Sequence, residues 1–301
     1  MKDFVYLKSL TKLIVLIPFY LQCQSKESSM PNYLNKFSLK NKTAFVVGGL
    51  GLIGAEISRA LISAGAKVVM LDINEDKGKA LENENQDKSN RLIFRTFDCS
   101  VVDQLDNNFS ILIDEYGCMD IFINCSYPRT KDWGNSSFKD IKLETFQKNI
   151  VIHMNSYAWL ARLAAEAMVK AGNDGSIIQL GSIYGLLAQD LSIYNNTKMH
   201  ENMTYATIKG GIINLTRQMA SYYGQYNIRV NNLCVGATDT EMLRKWSGPD
   251  PDPAWVESWM DSAIVAGVVV DLFLEGPGGR TGDNIGLYAG YDCILPPPEI
   301  E

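Results

Sequence analysis

Tyr205 and Lys209, in the run Tyr-Ala-Thr-Ile-Lys, stand four residues apart, and Ser182 lies upstream in Leu180-Gly181-Ser182-Ile183-Tyr184-Gly185. On a helix, a spacing of four places a phenol and an ammonium on one face. A cation there favours the phenolate and draws the phenol down from its free pKa of about 10, giving a group that can take or return a proton near neutral pH. Taken alone, a Tyr and a Lys at this spacing are more often a solvated surface pair than a site, so the meaning depends on the rest of the chain.

Near the start, Thr43 to Val47 is a short apolar run suited to a buried strand. It is followed by Gly48-Gly49-Leu50-Gly51-Leu52-Ile53-Gly54 and a helical stretch from Ala55 to Ala64. Strand, glycine turn and helix form the context in which such glycines bind a phosphate: glycine lets the backbone approach closely, and the free N–H groups opening the helix attract a pyrophosphate. The backbone of Gly48, Gly51, Leu52, Ile53 and Gly54 is therefore the expected cofactor cradle. The next apolar run, Lys67 to Leu71, ends in Asp72. An acidic residue about 20 positions past the glycines accepts hydrogen bonds from the adenosine ribose and repels a 2′-phosphate, which favours NAD over NADP.

From residue 37 onward, strand-like runs alternate with helical patterns, the signature of a parallel sheet wrapped on both faces. The expected strands are Thr43 to Val47, Lys67 to Leu71, Arg91 to Phe97, Ile121 to Asn124, Ser176 to Gly181, Ile228 to Cys234 and Asn284 to Tyr288, seven in a doubly wound α/β sheet. Leu160 to Val169 and Thr204 to Tyr223 read as helices, the second carrying the Tyr and Lys, and the polar stretch Glu82 to Asn90 as a solvated loop. Ligands of such sheets bind at the carboxyl ends of the strands. Gly48 to Gly54, Asp72, Asp98, Asn124, Ser182 and Gly236 to Thr240 end six of them in turn. Each polar residue alone fits an ordinary strand-to-helix cap; their shared edge makes them a candidate site.

At 301 residues and 46% hydrophobic composition the chain can bury one substantial core. A net charge of −6 leaves no basic footprint, so nucleic acid is not an expected partner. Cys23, Cys99, Cys118, Cys125, Cys234 and Cys293 are widely spaced and read as reduced thiols. With only His153 and His200 besides, no metal site is expected. Residues 1–30 differ from the rest: Lys2, Lys8 and Lys12 precede an apolar run, Leu13 to Leu21, followed by Cys23. They read as a leader, as an added helix, or as sequence ahead of a true start at Met30. The last is preferred, because a nicotinamide enzyme with reduced thiols belongs in the cytoplasm; export or membrane anchoring is the alternative if residues 1–23 act as a leader.

Together these residues resemble the short-chain dehydrogenase/reductase family over residues 37 to 291. The glycine turn, Asn124-Cys-Ser-Tyr, Gly181-Ser182, Tyr205 to Lys209 and Val235-Gly236-Ala-Thr-Asp-Thr240 fall in the family's order. The resemblance implies a single-domain Rossmann fold and a homodimer or homotetramer; the short Pro-rich tail at 292–301 lacks the family's usual Asp-Gly-Gly ending. It also implies that Ser182 binds the substrate oxygen, Tyr205 exchanges the proton, and Lys209 holds the nicotinamide ribose and lowers the phenol pKa. Asp98 would contact adenine, Asn124 would line the cleft, and Thr240 would support the nicotinamide end. Tyr127 to Gly134 and Lys209 to Arg217 resemble more narrowly the flagellin-modification branch, associated with bacterial surface sugars.

The chain departs from the family pattern in places. Leu52 replaces a glycine, Val235 a proline, and Cys125 and Tyr127 the usual residues of the fourth turn. His153 aligns with the family's relay Asn, and Asn155 lies two residues on. Two residues turn a helical side chain by about 200°, so only one can face the site. The separation of Ser182 and Tyr205, 23 residues (205 − 182), is long for the family, and an inserted loop from Ser192 to Asn202 is expected to bulge out and border the substrate. Glu241 to Met260, with Trp246, Trp255 and Trp259, lies where the family has its substrate lid, and Arg129 and Lys131 read as surface charges or as partners of a substrate anion. The expected reaction is hydride transfer between NAD and a secondary alcohol or ketone, on a sugar or sugar derivative. Two alternatives remain: a nucleotide-binding regulator without chemistry, and an NAD-retaining epimerase or dehydratase.

Overall fold

In Thr43–Val47 the side chains alternate between two cores, and the whole architecture follows from that alternation. Ala44 and Val46 face one hydrophobic cluster, Phe45 and Val47 the other. A strand buried on both faces must be apolar throughout, which is why these strands read as continuous hydrophobic runs. The computed structural model describes residues 38–85, 91–195, 197, 199–249, 256, 259, 261–274 and 279–287. The leader-like stretch 1–30, the tail 292–301, Cys23, Cys293 and Trp255 lie outside the described residues, as does the Trp246 side chain.

Seven strands form one parallel sheet: β1 (Thr43–Val47), β2 (Lys67–Asp72), β3 (Leu92–Thr96), β4 (Ile121–Asn124), β5 (Gly175–Leu180), β6 (Ile228–Val235) and β7 (Asn284–Leu287). Their spatial order is β3-β2-β1-β4-β5-β6-β7. The chain runs outward from β1 to β3, then returns to place β4 on the other side of β1. That reversal opens a crevice between the turns that follow β1 and β4, where sheets of this kind bind ligands.

On one face lie α1 (Leu52–Ser63) and α8 (Ser262–Leu274), which bury Ile57, Leu61, Val265, Val269 and Leu272 against the sheet. On the other lie α3 (Leu105–Tyr116), α5 (Ser156–Ala171) and α6 (Met203–Tyr223), contributing Phe109, Leu160, Ala164, Met168 and Met219. A short α4 (Leu143–Asn149) runs into α5 through a wider π turn, Ile150–Asn155. Two further helices are α2 (Glu75–Asn85) and α7 (Glu241–Ser247).

The strand expectations hold to within a residue or so over the described residues, and Tyr288 lies outside them. The solvated loop expected at Glu82 to Asn90 is corrected in part: residues 82–85 belong to α2. Glu75 and Asp76 sit in that helix's first turn, where carboxylates complement the dipole, and Glu82 accepts a hydrogen bond from the Phe94 N–H at 3.1 Å, tying the helix to β3.

Candidate active site

The glycine turn is shaped by close backbone contacts. Gly48 adopts φ +74°, and a Cβ there would stand 2.8 Å from the Ser126 backbone. A Cβ on Gly54 would collide with the Gly48 carbonyl oxygen, so Gly54 fixes how closely α1 approaches the turn. Gly51, the N-cap of α1, has no side-chain cap, and no acidic residue occupies the helix's first turn. The N–H groups that open α1 at Leu52 and Ile53 are therefore left to an anion. Asp72 closes the turn from the second strand: one carboxylate oxygen accepts from Leu50 N–H at 3.0 Å, the other from Asn74 N–H at 3.3 Å. Lys77 donates to the Leu50 carbonyl at 2.9 Å. Asp98 lies exposed after β3 and accepts from Ser100 N–H and Oγ. Asn124 is buried at the end of β4; its Oδ1 accepts from Ser126 N–H and Oγ at 3.1 and 2.7 Å, while its Nδ2 has no partner. An uncapped helix N-terminus, a glycine cradle that side chains would fill and a carboxylate at the second strand end fit a dinucleotide.

The proton-handling residues gather at the same edge. Ser182, 2% exposed, follows β5, and Lys209, 3% exposed, reaches it from α6. Gly185 makes this possible, since a Cβ there would lie 2.6 Å from the Lys209 carbonyl oxygen. Asn202 caps α6 by accepting from Tyr205 N–H at 2.7 Å, which sets where the helix begins and so where Tyr205 and Lys209 point. The Lys209 Nζ donates to the Leu180 carbonyl at 2.8 Å and lies 5.7 Å from the centre of the Tyr205 ring. The expected common face is thus present.

The expected lowering of the phenol pKa is not. Burial pushes Tyr205 up to about 12, and the Ser182 hydroxyl, its hydrogen-bonding neighbour, pulls it partly back. Burial also lowers Lys209 to about 7. Removal from water is the largest cause of both shifts, and the ammonium is anchored on the Leu180 carbonyl rather than on the phenol oxygen.

Several side chains beside Tyr205 were not anticipated. The rings of Tyr127 and Trp133 stand 6.1 and 6.3 Å from it, edge to face, and 5.7 Å from each other. Both lie in the segment Tyr127 to Gly134 after β4, and Arg129 lies over the Tyr127 ring at 5.0 Å. The π turn separates His153 from Asn155. Asn155 is exposed, whereas His153 is fully buried, with its ring 5.3 Å from both Tyr127 and Tyr157. Burial, and then the Lys209 charge, hold its pKa well below the ordinary imidazole value, so it is neutral at pH 7.

The inserted loop packs inward instead of bulging. Leu191–Tyr194 forms a 3-10 turn whose Ile193 and Tyr194 are buried with Met199, Leu243 and Trp259. Two apolar side chains give the insertion a reason to fold back. His200 bridges to the Gly134 carbonyl at 2.7 Å, and Met203 N–H donates to the Ser136 carbonyl at 2.9 Å, pinning the loop to the segment after β4. Thr240 caps α7 by accepting from Leu243 N–H at 2.9 Å. Among the described residues no cluster of His, Cys, Asp or Glu could hold a metal, and no helix is long and apolar enough to cross a membrane.

A sequence profile described as short chain dehydrogenase matches residues 42–250. The chain is 32% identical over 200 residues to post-translational flagellin modification protein A of Campylobacter coli, covering 66% of this chain and 77% of that one. It is 24% identical over 290 residues to a ribulose-forming D-arabinitol 2-dehydrogenase of Scheffersomyces stipitis, covering 88% and 99%. Among solved structures, a gluconate 5-dehydrogenase from Burkholderia cenocepacia with NADP and tartrate superposes with a TM-score of 0.72 at 22% identity, over 86% of this chain and 98% of that one. A short chain dehydrogenase from Leptospira borgpetersenii with NAD+ gives 0.68 at 24% identity, over 85% and 94%. These last two share the fold. The profile spans most of the described sheet and reaches every strand end that carries a site residue, and the chain therefore belongs to the short-chain dehydrogenase/reductase family.

Proposed function

We propose that the chain transfers hydride between NAD and a secondary alcohol or ketone of a sugar or sugar derivative, with Ser182, Tyr205 and Lys209 as the catalytic residues. The observation that carries this reading is the Tyr205 phenol set beside the Ser182 hydroxyl, with the Lys209 ammonium behind both, at the edge where the glycine turn opens. The bound nicotinamide, positive when oxidised, supplies the hydride acceptor and a charge that favours the phenolate. Tyr205 Oη takes the substrate hydroxyl proton in oxidation and returns it in reduction. Ser182 Oγ donates to the substrate oxygen as its charge changes, and being buried it is held in place before the reaction. Lys209 supplies positive charge beneath the phenol.

The backbone at Gly48, Gly51, Leu52, Ile53 and Gly54, with Asp98 and Thr240, would hold the dinucleotide, and Asn124 would line the cleft by fixing the Ser126 turn against which Gly48 packs. Asp72 favours NAD, because its carboxylate sits at the second strand end with both oxygens already fixed by backbone N–H groups. Trp133 is buried in a small core cluster against which Tyr127 and Tyr205 pack, so its part is to hold those rings in place. The flagellin-modification and sugar-alcohol relatives support the sugar substrate class. The chain would act as a homodimer or homotetramer.

Substituting Tyr205→Phe tests the assignment. NADH binding, followed by fluorescence titration, should change less than about threefold, while NAD reduction with candidate sugars should fall by about a thousandfold or more. Ordinary turnover in this variant would end the proposal. The same titration with NADPH tests the cofactor preference.

A further inference from the structure

Four side-chain amides stand in one row across the sheet. Asn124 on β4 is in register with Gln179 on β5, Gln179 with Asn232 on β6, and Asn232 with Asn284 on β7. Register partners on parallel strands point to the same face. Here that is the face covered by α5 and α6, shared with Phe122, Ile177 and Val230. Asn124, Gln179 and Asn232 are each fully buried. Three buried amides in a row, in strands otherwise filled with Val, Ile and Phe, call for a compensating pattern of hydrogen bonds.

The polarity of that pattern is dictated from one end. Both Ser126 donors are spent on Asn124 Oδ1, so Asn124 faces its neighbour with Nδ2, a donor that has no partner. Gln179 then has to accept with Oε1 and donate with Nε2, and both of those atoms are also unpartnered. Asn232 has to accept with Oδ1, again unpartnered, and donate onward with Nδ2. The last link is already made: Asn232 Nδ2 donates to Asn284 Oδ1 at 3.0 Å. A direction deduced at β4 is thus the direction found at β7, and that link shows that neighbouring strands are close enough for direct amide bonds. For the row to close, the Gln179 amide has to meet Asn124 Nδ2 and Asn232 Oδ1, the two neighbouring atoms left without a partner.

We propose that Gln179 joins these amides into one hydrogen-bonded ladder, and that Gln179 and Asn232 are positioning residues for the cofactor cleft. The row touches both halves of the site. At one end it orients the Asn124–Ser126 turn, on which Gly48 packs at the start of the glycine turn and to whose Ser126 carbonyl Tyr157 Oη donates at 2.8 Å. In the middle the Asn232 amide lies against Gly181, where any Cβ would strike it. Gly181 separates Leu180, whose carbonyl anchors Lys209, from Ser182. The effect on the cleft rests on the nucleotide-binding reading above; the ladder itself does not.

The sign of a stability change tests the ladder. If the Gln179 amide is unbonded, Gln179→Leu removes two unsatisfied buried atoms and raises the urea midpoint. If the ladder is closed, the same change breaks two bonds and strands Asn124 Nδ2 and Asn232 Oδ1, so the midpoint falls. A fall is expected, and a rise overturns the ladder. Should Gln179→Leu not fold, exchange of the Gln179 side-chain amide protons in the unaltered protein decides: strong protection is expected, and exchange as fast as that of an exposed glutamine overturns it.

NADH titration tests the positioning role. Gln179→Leu should weaken binding about fivefold in the wild-type background and less than about twofold in an Asn124→Ala background, because the effect passes through Asn124. Equal weakening in both backgrounds reduces Gln179 to a structural part and overturns the positioning claim. If the unaltered protein binds no NADH, the nucleotide reading and the positioning role that rests on it both fall, while the stability test still judges the ladder.

Discussion

At Lys209, burial and charge work against each other. Its pKa falls from 10.5 to about 7 in the folded protein. Between about pH 7 and 10.5 the unfolded chain therefore holds a proton that the folded one has released, and stability rises with pH across that window. The cost of burying the ammonium is fully present below about pH 7 and disappears above the unfolded value. Lys209→Met should accordingly gain on the wild type at pH 6, with the difference in urea midpoint shrinking steadily by pH 10. A difference independent of pH would show that the ammonium is not desolvated. The same opposition explains Tyr205, whose phenol at about 12 needs added positive charge before it can ionise near neutrality. His153 contributes none, since burial keeps it neutral.

Between β1 and α1, neighbouring glycines have different duties. Gly54 sits where any side chain would drive into the Gly48 carbonyl, backbone against backbone. Gly51 has an extended conformation open to any residue, and a Cβ there would meet only the Gly48 oxygen at 3.3 Å. Gly54→Ala should therefore destabilise the fold by about 2 kcal/mol, the scale of overpacking a tight site. Gly51→Ala should lie within about 0.5 kcal/mol of the wild type. Urea unfolding of the two variants checks the contrast, and equal losses would contradict it. The π turn at Ile150–Asn155 plays a comparable part on the other side of the cleft, turning His153 inward beneath the Tyr127 and Tyr157 rings and leaving Asn155 outside.

Across the whole molecule, the two large hydrophobic clusters share one sheet, and the candidate site residues come from the turns after β1, β2, β3, β4, β5 and β6 and from α6. No single segment contains the cleft, so a ligand bound there stabilises the native sheet and not the unfolded chain. NADH at a hundred times its dissociation constant should add about 2.7 kcal/mol to the unfolding free energy. Tyr205→Phe should keep that gain, because the phenol acts on the substrate proton. Thermal or urea unfolding with and without NADH measures it, and an unchanged midpoint at saturating nucleotide would contradict the cofactor assignment.

The chain's own order of residues determined the sheet and the candidate site. Thr43–Val47 and Ile121–Asn124 appear with the bounds expected, because a strand buried on both faces is apolar along its length and stops where Gly or Asn begins a turn. The glycine turn, Asp72, Asn124, Ser182, Tyr205 and Lys209 were legible for a similar reason: each closes a strand or keeps a helical spacing, and both are local properties. Tertiary structure alone decided the rest. Whether Tyr205 or Lys209 keeps its proton depends on how much water the fold removes. Ile193 and Tyr194 fold inward only because α7 and Trp259 are there to receive them. Asn124, Gln179, Asn232 and Asn284 are isolated polar residues in the sequence, and they become a row only when four strands take one register. Spacing along the chain records local geometry, whereas burial and register belong to segments brought together from far apart.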